Sequence, residues 1–179
     1  MKKGLNIAIL LVFLVWAGYY VYANFFYGGI GGGTKDLTTI DSLEKGQAVN
    51  LNDYLGKKKL ILQFVAVPCD CCSYTIPFMK EIAAEQDEIQ LITVVFSGKE
   101  SKIAEKFAEY KMNYPWGLDL DRSIANHYGA TTSPTFVFFD EKGNLLGSYP
   151  YVVANKESLL NNYQGYYNDY YQKKGSDKL

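Results

Sequence analysis

The feature that most restricts this chain is Pro68-Cys69-Asp70-Cys71-Cys72, which gathers all three cysteines of a 179-residue protein. The apolar run Leu60-Ile61-Leu62-Gln63-Phe64-Val65-Ala66-Val67 stands directly before it, and a segment of helical pattern follows. Cysteines this close together cannot staple distant loops. They can close one local bridge and leave one thiol over, which suits a redox or metal site. At a strand-to-helix junction the first thiol lies near the positive end of a helix, where a thiolate is favoured. Two thiols with two residues between them can close a small disulfide ring there. Dithiol–disulfide exchange is the chemistry this pattern points to.

The N-terminus bears on the compartment. Met1-Lys2-Lys3 precedes an uncharged, mostly apolar run from Leu5 to Tyr22. As a helix that run reaches roughly 27 Å, close to the hydrocarbon thickness of a bilayer. The two lysines favour the cytoplasmic side and place the remainder outside. Trp16, Tyr19, Tyr20, Tyr22 and Tyr27 crowd the far end, where amphipathic rings suit the interface. The competing reading is a signal peptide cleaved near Val21-Tyr22-Ala23, although an aromatic-rich end is a poor cleavage region. Both readings export the domain. Gly28-Gly29-Ile30-Gly31-Gly32-Gly33 reads as a tether, since no strand and helix frame it as a phosphate loop. The expected organisation is a membrane anchor at 1–27, a glycine-rich linker at 28–36, a folded domain at 37–171 and a polar tail at 172–179. The formal net charge of -1 gives no reason to expect nucleic acid as a partner.

Within the domain, Ala48 to Tyr54 is predicted to be a short strand leading to a turn at Gly56-Lys57-Lys58-Lys59. Leu60 to Val67 and Ile89 to Phe96 are predicted to be buried strands, from their dense apolar content. Cys72 to Gln86 is predicted helical, with Ile76, Met79, Ile82 and Ala83 on one face and a kink at Pro77. Ser101 to Met112 is an amphipathic helix with Ile103, Phe107 and Tyr110 inward. Ser123 to Tyr128 is a short helix that Gly129 can end. Thr135 to Asp140 and Leu145 to Tyr149 form a hairpin about Glu141-Lys142-Gly143-Asn144, and Lys156 to Tyr171 is a last helix. Asp119 and Asp121, ahead of a helix, suit capping rather than a cation site. The tyrosines at 163, 166, 167, 170 and 171 have the spacing of a helix face that packs on the domain. The lone His127 suits a surface or partly packed position. Strands joined by helices, then a hairpin and a helix, make an α/β sandwich about a mixed sheet.

From Ala48 to Leu160 the sequence resembles the thioredoxin superfamily, and within it the exported TlpA-like branch of thiol–disulfide oxidoreductases. The resemblance is carried by Gly56-Lys57 before an apolar strand, Phe64 and Ala66 at its end, Cys69 and Cys72, and Pro77 five residues later. Tyr114-Pro115 with Asp119, and Tyr128-Gly129 with Ser133-Pro134-Thr135-Phe136-Val137-Phe138-Phe139-Asp140 and Gly143, extend it. It implies a thioredoxin-like three-layer sandwich. It also implies a cis peptide bond at Ser133-Pro134, opposite the cysteines, with Thr131, Thr132 and Ser133 lining a groove for a client strand. Four positions depart from the family pattern. Pro68 replaces a tryptophan, Asp70 and Cys71 replace a proline-containing pair, and Thr75 stands where many members have a glutamate; Gln63 fills a position where they have an acid or amide.

These residues set the expected chemistry. Cys69, exposed at the helix N-terminus, attacks, and a cysteine there can have its pKa lowered to roughly 3.5–7.5. Cys72, one turn in, resolves the mixed disulfide. Asp70 works against the thiolate by its charge, which leans toward a reductant. Gln63 cannot serve as a carboxylate base. Cys71 is expected to point away from the ring; it can instead bridge to Cys69, take up glutathione, help bind copper(I), or stand idle. The expected protein is a membrane-anchored extracytoplasmic thiol–disulfide oxidoreductase that needs no organic cofactor or resident metal. Its partners are exported cysteine-bearing clients and a membrane or extracytoplasmic electron donor. The rivals are a copper(I) metallochaperone of the same fold and, further off, a thiol peroxidase.

Overall fold

The computed structural model describes residues 39–40 and 49–176. The expected anchor and linker lie outside them. No helix among the described residues is long and apolar enough to cross a membrane.

Two strands form the centre. β3 (Lys59–Ala66) and β4 (Ile89–Ser97) are nearly continuous apolar runs. They pair in parallel, Leu60 facing Gln90 and Val65 facing Val95. Parallel strands covered on both faces need this composition. The crossover between them is α1 (Asp70–Glu85). β4 continues through α2 (Glu100–Tyr110) to β5 (Trp116–Leu118), which pairs with it in parallel. After α3 (Ser123–His127) the chain reverses. β6 (Thr135–Phe139) runs antiparallel to β3, and β7 (Leu145–Tyr149) antiparallel to β6. The sheet order is β5-β4-β3-β6-β7. α4 (Lys156–Ser176) closes the chain and continues past the expected end at Tyr171. A separate two-stranded ladder joins β1 (Thr39–Ile40) to β2 (Val49–Asn50).

Alternation along β3 distributes its side chains to two layers. Leu60, Leu62 and Phe64 face a core that includes Leu51, Ile124 and Ala125. Ile61 faces Met79 and Ile82 of α1 and Leu159 and Tyr163 of α4. Val65 meets Ile76 of α1 and Ile103 and Phe107 of α2. Helices therefore cover one face and α3 with the N-terminal turn covers the other, the expected three-layer mixed α/β sandwich. Phe64, Phe136 and Phe138 are fully buried, and each such side chain contributes about 1.5–3 kcal/mol of hydrophobic stabilisation.

Some elements differ from expectation. The strand expected over Ala48 to Tyr54 is only Val49–Asn50, because Leu51–Asp53 winds into a 3-10 turn capped by the Asn50 side chain. α1 starts at Asp70, two positions ahead of the expected start at Cys72. The edge strand β5 has no counterpart in the sequence reading. Asp119 does cap α3: its carboxylate accepts from Ile124 N–H at 3.1 Å and Ala125 N–H at 2.7 Å.

Candidate active site

The strand arrangement brings chosen loops to one end of the sheet. β3, β4 and β5 run parallel and end there, β6 starts there, and β7 ends there. That end carries Pro68 to Cys71, Gly98, Leu120, Ser133-Pro134 and Pro150 to Val152.

Cys69 is the N-cap of α1, with extended backbone at φ -144° and ψ 119°. Cys71 follows in the first turn. The two form a disulfide, their Cα atoms 5.3 Å apart, inside the range a disulfide spans. This corrects the expected Cys69–Cys72 ring. Cys71 faces Cys69 across this bridge and does not point away. It is half-buried, like Cys69, and both pack on the cluster of Val65, Ile76 and Phe107. The side chain of Cys72 lies outside the described residues, and with it the resolving role expected there.

Ser133 faces both sulfurs. Its Oγ lies 3.6 Å from Cys69 Sγ and 3.8 Å from Cys71 Sγ. The position follows from register. β6 pairs with β3 up to Phe64 opposite Thr135, so the next facing pair is Ala66 and Ser133. There the ladder ends, and Ala66 N–H donates to Ser133 Oγ at 2.9 Å. Among the described residues two peptide bonds are cis, Ser133-Pro134 as the resemblance implies and Val67-Pro68, which it did not. Pro134 is buried and Pro68 exposed. Thr132 is exposed, its Oγ1 3.3 Å from Thr135 Oγ1 and 3.4 Å from Pro150 O. Asp70 is exposed at the start of α1.

Between β3, α1 and β4 runs a buried chain of hydrogen bonds. Gln63 Nε2 donates to Thr75 Oγ1 at 2.8 Å, and Thr93 Oγ1 donates to Gln63 Oε1 at 2.9 Å. Thr93 Oγ1 also lies 3.3 Å from Tyr114 Oη. Gln63, Thr75 and Thr93 are fully buried. Gln63, at the family's acid-or-amide position, and Thr75, where many members have a glutamate, are thus bonded to each other.

Beside Cys69 a cleft of about 60 Å³ is walled by Ser73, Lys106 and Tyr110. The sequence reading did not place Lys106 or Ser73 at the site. Lys106 is ion-paired with Glu109 at 2.9 Å, which holds its ammonium pKa above the usual value. No spacing in the sequence ties α2 to the cysteines; the crossover does. His127 is exposed and stacks edge-on against Tyr128, centroids 4.7 Å apart. Among the described residues no three histidine, cysteine or acidic side chains converge as a metal site.

The family described as Redoxin matches residues 32–163. The thiol-disulfide oxidoreductase ResA of Geobacillus thermodenitrificans is 32% identical over 143 residues, 76% of this chain and 80% of the relative. That of Geobacillus kaustophilus is 30% identical over 145 residues, 77% of this chain and 81% of the relative. Among solved structures, the exposed lipoprotein thioredoxin of Streptococcus pneumoniae superposes with a TM-score of 0.61 at 28% identity, covering 71% of this chain and 97% of its own. A secreted Mycobacterium tuberculosis disulfide oxidoreductase homologous to E. coli DsbE superposes with a TM-score of 0.62 at 19% identity, covering 74% and 99%. The second likeness speaks to the fold alone.

Proposed function

This chain belongs to the Redoxin family, and from that premise we propose that it is a membrane-anchored, extracytoplasmic thiol–disulfide oxidoreductase acting on cysteine-bearing clients through Cys69. The observation that carries the reading is the Cys69–Cys71 disulfide at the N-terminus of α1, facing Ser133. A bridge in the first turn of a helix, at the open end of a sheet, suits exchange rather than stapling. The similarity to ResA proteins supports it. The lysine-flanked run from Leu5 to Tyr22 supports anchoring and export.

The reaction balances with the chain's own sulfurs. In the reduced pair the Cys69 thiolate attacks one sulfur of a client disulfide. A Cys69–client bond forms, the client bond breaks, and the departing thiolate takes a proton from water. Cys71 then loses its proton to water and attacks Cys69 Sγ. The Cys69–Cys71 bond forms, the mixed bond breaks, and the client leaves with two electrons. A dithiol donor reverses these steps to reset the pair. The positive end of α1 stabilises the thiolate at Cys69. Client docking is supported by large apolar side chains exposed at the same end of the sheet: Tyr74 (74% exposed), Tyr151 (65%), Val152 and Leu120.

The test uses the full-length protein in detergent, with insulin as client and dithiothreitol as donor. Wild type accelerates insulin reduction and Cys69→Ser abolishes it. Cys71→Ser accumulates a trapped Cys69–client adduct, visible by mass spectrometry, while Cys72→Ser turns over normally. Full turnover in Cys69→Ser overturns the reading. A trapped adduct in Cys72→Ser, with normal turnover in Cys71→Ser, returns the resolving role to Cys72.

A further inference from the structure

A serine hydroxyl can accept hydrogen bonds and has one proton to give. In Ser133 the accepting side already holds Ala66 N–H at 2.9 Å. The remaining proton has two sulfurs in reach, Cys69 Sγ at 3.6 Å and Cys71 Sγ at 3.8 Å. The site is half-buried at both cysteines and at Ser133, so a thiolate there is only partly solvated. The neighbouring Pro134 has no N–H to offer.

We propose that the single hydroxyl proton of Ser133 follows the negative charge from one sulfur to the other during exchange. It bonds the Cys69 thiolate while Cys69 attacks, and rotates to the Cys71 thiolate once Cys69 is tied up in a mixed disulfide. No proton is transferred; the O–H···S⁻ bond changes partner as the charge does. The Ala66 N–H bond fixes Oγ at its place between the sulfurs, so rotation about one C–O bond suffices. This rests on the exchange chemistry above and adds the group that stabilises both of its anionic states. Ser133 is thereby a participant in the reaction, beyond a wall of the client groove.

The experiment isolates each sulfur in the reduced full-length protein on a Cys72→Ala background. Cys71→Ser leaves Cys69 to report, and Cys69→Ser leaves Cys71. The rate of iodoacetamide alkylation is followed against pH, with and without Ser133→Ala. A hydrogen bond to a charged group is worth enough to shift such a midpoint by about one pH unit. Ser133→Ala should raise the midpoint for both sulfurs, leaving about tenfold less thiolate below it, and Ser133→Thr should restore both. Where Ser133→Ala does not fold, Ser133→Gly, which lets water reach Ala66 N–H, repeats the measurement. A shift at only one sulfur, or at neither, overturns the proposal. So does a rise in client KM with both midpoints unmoved, which marks Ser133 as groove wall only. These failures leave exchange intact so long as turnover still needs Cys69; turnover without Cys69 defeats the exchange reading itself.

Discussion

Gln63 shows how a single buried side chain is held and what it ties together. It is fully buried on β3, and its amide ties Thr75 of α1 to Thr93 of β4. A buried hydroxyl without a partner costs about 1–3 kcal/mol. Gln63→Leu keeps the bulk of the side chain but deprives Thr75 and Thr93 of the amide. We expect it to lower stability by about 1–3 kcal/mol, read as a reduced urea midpoint with an unchanged slope. An unchanged midpoint would show that the two threonines find other partners at no cost. The sequence alone showed that Gln63 cannot ionise as a base. It could not show what the amide binds, because both partners come from other elements and only the sheet register joins them. The same holds for Ser133, whose place beside the sulfurs follows from its facing Ala66 across the β3·β6 ladder.

At the scale of elements, the junctions at the sulfur end of the sheet are tightly fitted. Gly98, just after β4, has φ +144°, and a Cβ added there would lie 2.5 Å from Val67 O. That oxygen is backbone, and Val67 N–H is itself fixed to Ser97 O at 2.7 Å, so it cannot step aside. Gly98→Ala is expected to cost about 2 kcal/mol or more and to lower exchange activity, because Val67 leads into Pro68 and Cys69. Chemical denaturation and insulin reduction on the same sample check both. Wild-type stability would mean that the β4–α2 junction relaxes freely. Elements with long apolar runs or clear helical spacing were legible in the sequence: β3, β4, β6, β7 and, among the described residues, α1 to α4 lie close to where the residues placed them. β5 was not legible, because three residues after Pro115 carry no period and are set only by pairing with β4. The bridge partner of Cys69 was not legible either. Two thiols follow Cys69 within three residues, at Cys71 and Cys72, and residue order alone does not choose between them; the disulfide joins Cys71.

Across the whole molecule, α4 is fastened to the hairpin of β6 and β7 by its tyrosines. Tyr163 Oη donates to Phe139 O at 3.0 Å, Tyr166 Oη to Ser148 O at 2.8 Å, and Tyr171 Oη to Asp140 Oδ2 at 2.7 Å. The tyrosine-rich face thus packs on the domain, as its helical spacing suggests. Asp140 is the centre of this attachment, and its titration links the attachment to pH. Burial pushes its pKa up, but hydrogen bonds from the Asn144 side chain, the Tyr171 hydroxyl and the Asn144 and Lys142 backbone outweigh burial and hold it below the ordinary value. A carboxyl depressed by folding adds stability above its unfolded pKa of about 3.9, and that stability is lost as pH falls through the lower folded value. Tyr171 has the opposite sign. Its bond to Asp140, then burial, raises its pKa, so its contribution is whole below about pH 10 and is lost as pH rises through the raised folded value. Melting temperature should therefore fall at both extremes in part through this one contact. Asp140→Asn should lower it at neutral pH and flatten both limbs. Tyr171→Phe should flatten the alkaline limb most and the acid limb less, since three donors to Asp140 remain. Melting curves from pH 3 to pH 11 for the three proteins decide the matter, because other titrating groups are common to all and cancel in the differences. Parallel curves would mean that the Tyr171–Asp140 contact does not link the attachment of α4 to pH.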